Sequence, residues 1–270
     1  MLNAKRVDKY LVPGRPGRMY CFDTVVSTNV VAEALVAAGE AADGYAVAAD
    51  SQTRGAGRLG REFYSPPGLG VYLSYIKKIP DAAGSPGFIT SLAGLAVVAA
   101  LEKCFGLKAL IKWPNDIVIK NKKICGILTR LCAGGADGKT PHAVIGIGVN
   151  VNQTPGDFPP ELSAKAGSVR IALGQVAERE RLLAEIVNEL DMIMLYQNAL
   201  CQPASPYISR LKDLSFTLGK KITVSSQTKK ETAVALDLAP DGALVIQTLE
   251  GKKTIHSGEI DEENGWSVIG

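Results

Sequence analysis

The sequence predicts an α+β chain, with a larger mixed unit followed by a small all-β one. Three observations carry this reading. Short apolar strand-like runs alternate with stretches of helical periodicity from Tyr20 to about Tyr196. One run, His142–Val151, is almost wholly apolar yet broken by Gly146 and Gly148, as in a buried strand that another group approaches closely. From about Leu218 the helical period disappears. Short strands then follow one another, separated by turns at Pro240-Asp241-Gly242 and Glu250-Gly251, the texture of a compact barrel. The composition shift near 213–218 divides the chain into residues 1–215 and 216–270.

Residues 1–18 are basic and rich in Gly and Pro, a lead-in segment. Tyr20–Val26 reads as a strand running into Ser27-Thr28-Asn29, after which Val30, Val31, Ala34, Leu35 and Ala38 recur at helical spacing. Ser27 or Thr28 is the expected N-cap. Capping alone would explain the triplet, but a strand-to-helix junction also offers free N–H groups to a polar ligand. Tyr45–Ala49 and Gly70–Ile76 read as strands. A helix capped by Thr90 or Ser91 is expected through about Cys104, with Gly106 as its stop. Residues 153–176 read as a Pro/Gly-containing loop. Glu178–Tyr196 is the clearest amphipathic helix, with Leu182, Leu183, Ile186, Val187, Leu190, Ile193 and Met194 as its core face. A short helix follows around Pro206–Leu211. Ile222–Val224, Ala233–Leu238, Ala243–Gln247 and Lys253–Ile255 are the terminal strands.

At 270 residues, with 46% hydrophobic and 21% charged residues, the chain can bury a sizeable core. A net charge of +3 does not point to nucleic acid. Five cysteines without a C-x-x-C, and only two histidines, argue against a zinc site or disulfide framework and suit a reducing cytoplasm. No apolar run reads as a membrane span, and the N-terminus lacks the apolar core of a signal peptide.

The informative stretch is Gln52-Thr53-Arg54-Gly55-Ala56-Gly57-Arg58-Leu59-Gly60-Arg61, closed by Ser65-Pro66-Pro67-Gly68. Its glycines allow close backbone approach, and its arginines are permanently charged forks suited to carboxylate and phosphate. The stretch fits a loop folded over an anionic small molecule, and equally a solvated surface loop. Gly55-Ala-Gly57-Arg-Leu-Gly60 matches G-x-G-x-x-G, but Pro66 and Pro67 follow too soon for the long helix that a dinucleotide site needs. No H-R-D, D-F-G or Walker motif accompanies it.

A second stretch runs from Ala109 to Leu128. Two apolar runs flank Lys112-Trp113-Pro114-Asn115-Asp116, and Lys120-Asn121-Lys122 reads as a hairpin-like turn. Lys120 and Lys122 suit a solvated turn. Lys123 begins an apolar strand and is a candidate to point inward. Trp113 reads as core and His142 as structural.

Together, Ser27-Thr28-Asn29, Gln52…Gly55-x-Gly57-Arg58-x-Gly60-Arg61, Lys112-Trp113-Pro114-Asn115-Asp116, Lys123-x-x-Gly126-Ile-Leu128 and Gly146-Ile-Gly148-Val-Asn150 resemble the biotin–protein ligase family in order and spacing, from about residue 20 to 152. The terminal His256-Ser257-Gly258-Glu259 resembles the end of that family's SH3-like C-terminal domain. The resemblance implies a mixed β-sheet with helices packed on one face (class II synthetase-like) and ligands on the other. It implies ATP-dependent conversion of biotin to biotinyl-5′-AMP, then transfer to a lysine of a biotin carboxyl carrier protein. By the same resemblance Lys123 and Arg58 are catalytic. Ser27, Thr28, Asn29, Gln52, Gly55, Ala56, Gly57, Arg58, Lys123, Gly126, Leu128 and Gly146 bind biotin. Arg58, Arg61, Lys112, Asn115, Asp116 and Asn150 serve ATP, with Mg²⁺ near Asp116.

Three departures stand out. Ala56 replaces the first arginine of the family's Gly-Arg-Gly-Arg loop while Arg54 is extra, Arg130 replaces a usual acid, and Phe63 stands where tryptophan is common. Arg54 compensating for Ala56 and a looser hold on the intermediate are both open readings. Only 26 residues precede Ser27, against roughly 60 for a DNA-binding domain, so a monofunctional ligase without operator binding is expected. No membrane partner is expected, and a homodimer is compatible with the sequence. The alternatives are a lipoate–protein ligase and a non-catalytic biotin or biotinyl-adenylate sensor.

Overall fold

The structure, a computed structural model, describes residues 2–79, 85–134, 138–196, 199, 205–225 and 230–262. Cys201 lies outside the described residues.

The lead-in holds a short helix, α1 (Ala4–Asp8), whose N-cap Asn3 accepts from Arg6 N. Arg15 is buried with its guanidinium 2.8 Å from Asp191, clipping the segment to the core. β1 (Met19–Val25) leads through Ser27 into α2 (Thr28–Ala37), as the spacing predicts. β2 (Ala46–Gln52) delivers the Gly/Arg loop, and β3 (Gly70–Lys78) returns from it.

α3 (Pro86–Phe105) starts four residues before the expected cap. Ser85 caps it and Pro86 fills its first turn, a Ser-Pro start signal. Thr90 and Ser91 sit inside the helix, where their hydroxyls donate to the carbonyls of Pro86 and Gly87. Gly106 ends the helix at φ 65, as expected. At 20 residues α3 is long and apolar enough by composition to cross a bilayer, contrary to the reading of the sequence. Its apolar window is 72% buried in the protein, so it is a core helix.

β4 (Leu110–Lys112) and β5 (Asp116–Ile119) precede a two-residue turn at Lys120-Asn121, both at positive φ. β6 (Lys122–Gly134) and β7 (Thr140–Asn150) complete the sheet. Residues 153–176, expected as loop, contain a 3₁₀ turn (Pro155–Asp157), α4 (Pro160–Ser163) and α5 (Val169–Leu173). These turns are too short to show a helical period in sequence. α6 (Arg179–Leu190) continues as a π-helical stretch, Asp191–Tyr196, and α7 (Ser205–Asp213) follows.

The main sheet has order β1-β2-β3-β7-β6-β5-β4. Only β1–β2 is parallel, so the sheet is mixed. Odd-numbered residues of β3 and β7 (Val71, Leu73, Tyr75, Ile145, Ile147) join α3 and α6 in the main apolar core. The long helices therefore cover one face, as expected, while α2 sits on the other, packed against Val47, Ile76 and Val144. Asp50 and Arg179, both buried and 2.8 Å apart, pin the far leg of the Gly/Arg loop through Gly68 N and Gly70 O.

β8 (Lys221–Ser225), β9 (Lys230–Leu238), β10 (Leu244–Thr248), β11 (Gly251–Ile255) and β12 (Glu259–Glu262) form a separate antiparallel sheet of order β11-β10-β9-β8-β12, an SH3-like unit. It is docked tightly. Trp113 Nε1 donates to Gly242 O, and Ile222, Leu244 and Ile246 join the same core as α3.

Candidate active site

The face of the sheet that α3 and α6 leave open carries a cavity of about 870 Å³. That volume suits a small-molecule site. Its walls are the start of α2, the Gly/Arg loop, the β5–β6 hairpin, residues around 158–166, and Glu259–Asp261 of β12. Ser27, Thr28, Asn29, Gln52, Ala56, Gly57, Arg58, Arg61, Lys112, Asn115, Asp116, Lys123, Gly126, Leu128, Gly146 and Asn150 all line it. Gly55 does not. It lies beneath the loop, where an added Cβ would stand 2.3 Å from Phe63 O and 2.5 Å from Ser65 Oγ. Gly55 thus shapes the loop from outside the cavity surface.

The floor is made of glycines. Gly126 faces Gly148 across the β6–β7 pair, and Leu128 faces Gly146. A Cβ on Gly146 would lie 2.3 Å from Asn29 Oδ1, and one on Gly148 2.5 Å from the Phe63 ring. The interrupting glycines therefore do mark close approach, by an amide and an aromatic ring.

At one end of the floor lies a preformed polar corner. Ser27 holds the N-cap position of α2 but makes no side-chain cap bond. Gln52 does that work from β2. Its Oε1 accepts from Thr28 N at 2.8 Å and Thr28 Oγ1 at 3.2 Å, and its Nε2 donates to Ser65 Oγ. Ser74 Oγ lies 2.8 Å from Thr28 Oγ1 and 2.5 Å from Asn29 Oδ1. Ser27, Thr28 and Asn29 are each 3% exposed, so their polar groups face the cavity with little water around them.

At the other end lies the positive side. Lys123 Nζ is 2.7 Å from Asp116 Oδ1. The contact is an ion pair without hydrogen-bond alignment, since Asp116 Oδ1 is buried with no hydrogen-bonding partner among the described residues. A β-bulge puts Lys123 here. Cys125 pairs with Ile117 but Lys123 pairs with Val118, leaving Ile124 as the extra residue. Ile124 and Cys125 both enter the core, and Lys123 is turned to the cavity side.

Arg58 reaches in from the loop, with Nη1 on Asn115 Oδ1 at 3.1 Å and Nη2 on Gly258 O at 3.2 Å. Burial pushes its guanidinium pKa down, and the carboxylates of Asp116 and Glu259 push it back up. Asn115 is itself fixed, donating to Ile127 O. Asn115→Ala is therefore expected to release Arg58 and raise the KM for an anionic ligand of this cavity about tenfold, the scale of one lost charged hydrogen bond. Steady-state kinetics at saturating second substrate would check it.

Arg61 pairs with Glu259 at 2.6 Å. The loop is folded by Gly57 N to Arg61 O and Phe63 N to Gly55 O, both 2.7 Å, while its tip, Leu59–Glu62, stays exposed to solvent. Arg54 is exposed and outside the cavity lining, so its placement gives no support to compensation for Ala56. Arg130 lies outside the cavity lining and pairs with Glu33 of α2 at 3.3 Å.

Sequence reasoning missed Ser74, residues around 158–166, and Glu259 as a partner for Arg61. Serine on a strand and an acid some 200 residues away carry no local signal.

Residues 21–150 match the model of the biotin/lipoate A/B protein ligase family, and residues 217–261 match the biotin protein ligase C terminal domain. The chain is 36% identical over 241 residues to the bifunctional ligase/repressor BirA of Bacillus subtilis, covering 88% of this chain and 72% of that protein. It is 28% identical to the biotin–[acetyl-CoA-carboxylase] ligase of Mycobacterium tuberculosis, over 87% and 85% of the two chains. The biotin protein ligase from Aquifex aeolicus, solved in complex with biotin and ATP, superposes with a TM-score of 0.78 at 27% identity, over 92% of this chain and 99% of that one. A polar corner, a glycine floor and a cationic wall thus occupy a fold shared along nearly its whole length, and the chain belongs to the biotin protein ligase family.

Proposed function

We propose that this protein joins biotin to ATP as biotinyl-5′-AMP and transfers the biotinyl group to a lysine of a biotin carboxyl carrier protein. The observation that carries the reading is the convergence of the polar corner, the glycine floor and the Lys123/Arg58 wall on one cavity. In the first step a biotin carboxylate oxygen bonds to the α-phosphorus of ATP and pyrophosphate leaves. In the second, the carrier ε-amine bonds to the acyl carbon, a proton is lost, and AMP leaves.

Each part of the cavity suits one demand of that sequence. Ser27, Thr28, Asn29 and Gln52 offer donors and acceptors to the polar ureido head, and a site of such groups rejects ligands that leave them unpaired. Gly126, Leu128 and Gly146, with Ala56 and Gly57 above, leave a shallow trough for the bicycle and its chain. Lys123 lies where two anions must meet, and Arg58, Arg61 and Lys112 supply further positive charge. Transfer at phosphorus is served mainly by such positioning and electrostatics. Asn150 contributes from the floor, although its amide already donates to Gly167 O.

Among the described residues no three His, Cys, Asp or Glu side chains form a metal cluster. The Oδ1 of Asp116, ion-paired with Lys123 but without a hydrogen bond, suits a Mg²⁺ ion that arrives with the phosphates and takes one protein carboxylate. Bound there, the ion would neutralise phosphate charge. The reading places the ligase activity in the cytoplasm, with the domain boundary at 215/216.

Incubation with biotin, Mg-ATP and a biotin-acceptor domain should give pyrophosphate and a biotinylated acceptor. Pyrophosphate with lipoate but not biotin would favour the lipoate ligase, and tight biotin binding without pyrophosphate would make the chain a sensor.

A further inference from the structure

Lys123 is held at both of its backbone polar groups by a segment outside the sheet. Its N–H donates to Lys165 O at 2.9 Å, and its C=O accepts from Gly167 N at 2.8 Å, a parallel bridge centred on Ala166. β7 pairs with β6 only as far as Cys125, opposite Val149. Beyond that point the 165–167 segment takes over as neighbour of β6, beside the bulge that turns Lys123 to the cavity. Gly167 is the tight point. An added Cβ would stand 2.7 Å from Lys122 Cβ, and Gly167 O also accepts from Asn150 Nδ2 at 3.0 Å. Gly167 touches no part of the cavity surface.

We propose that Gly167 is a positioning residue for Lys123: its missing side chain lets residues 165–167 pair with the Lys123 backbone and hold the bulge that aims the ammonium at the reacting carboxylate and phosphate. The inference rests on the ligase reading above. A bulge is the least constrained point of a strand, because its extra residue leaves the ladder locally unpaired. A second neighbour on the open side removes that freedom. Misplacement of a reacting group by an ångström costs large factors in rate.

The test uses the full chain, with wild type as the control for the ligase reading. If wild type makes no biotinyl-adenylate, that reading fails and the comparison is not reached. Given an active wild type, Gly167→Ala should lower kcat for adenylate formation about tenfold or more, with the Kd for biotin changed less than about twofold and a cooperative thermal transition retained. The crowding atom is Lys122 Cβ, so Lys122→Gly added to Gly167→Ala should recover most of the lost kcat. Lys122→Gly alone should stay within a few-fold of wild type, since Lys122 lies outside the cavity lining and loses only an exposed bond from its ammonium to Ala164 O. A purely structural glycine would lower thermal stability without this paired recovery in kcat. Unchanged kcat in Gly167→Ala, or a double variant as slow as the single one, overturns the proposal. Should Gly167→Ala fail to fold, amide hydrogen exchange of wild type decides. The Lys123 amide should be protected like those of Ile124 and Cys125, and exchange at a loop-like rate overturns the proposal.

Discussion

Lys123→Ala is expected to slow biotinyl-adenylate formation by about 10²- to 10³-fold, the scale of removing one preorganised charge-stabilising donor. The charge arrangement explains the size. Lys123 Nζ, 2.7 Å from the buried Oδ1 of the half-buried Asp116, is the cation paired with that carboxylate. Without it, a biotin carboxylate and an α-phosphate would have to meet beside an unscreened negative charge. The loss should fall on kcat more than on biotin affinity, because the polar corner proposed for the ureido head sits on the far side of the floor. Stability should change little, since the Lys123 side chain is 41% exposed and such pairs contribute on the order of 1 kcal/mol or less. Pyrophosphate release at saturating substrates, with a thermal melt alongside, checks both halves. A variant within threefold of wild type would remove Lys123 from the chemistry.

Gly146→Val should abolish useful biotin binding. The first branch carbon would fall 2.3 Å from Asn29 Oδ1 and 2.8 Å from Asn29 Nδ2, and Asn29 is 3% exposed with Ser74 behind it. Either Asn29 leaves its contact with Ser74 or β7 shifts away from α2, a strain of about 1–3 kcal/mol by the usual cost of overpacking. Both outcomes break the polar corner, so biotin affinity should drop by about a hundredfold or more, the scale of two lost hydrogen bonds with buried partners left unpaired. Isothermal titration with biotin would measure it. Affinity within a few-fold of wild type would mean that biotin does not use this corner.

Much of the site was legible along the chain because its groups come in short local clusters. Ser27-Thr28-Asn29 ends a strand, Gln52–Arg61 is one loop, and the two β7 glycines announce a close approach. What those glycines make room for was not legible. Asn29 and Phe63 come from segments more than 80 residues away and are brought there by sheet order. Residues around 158–166 were hidden because one-turn helices carry no period. α3 looked shorter than it is because Thr90 and Ser91 resemble caps, whereas their hydroxyls bond back to the preceding turn.

By itself the sequence determined the α+β class, the change of texture near residue 215, and the set of polar and basic residues grouped around three short stretches. Local periodicity and residue chemistry suffice for those, because they act within a few residues. Only the tertiary structure decided which way Lys123 faces. Strict alternation would place it beside Cys125 in the core, and a one-residue bulge in the β5–β6 pairing turns it to the cavity instead. Pairing register is a property of two strands and the segment packed beside them, so no single stretch of chain contains it.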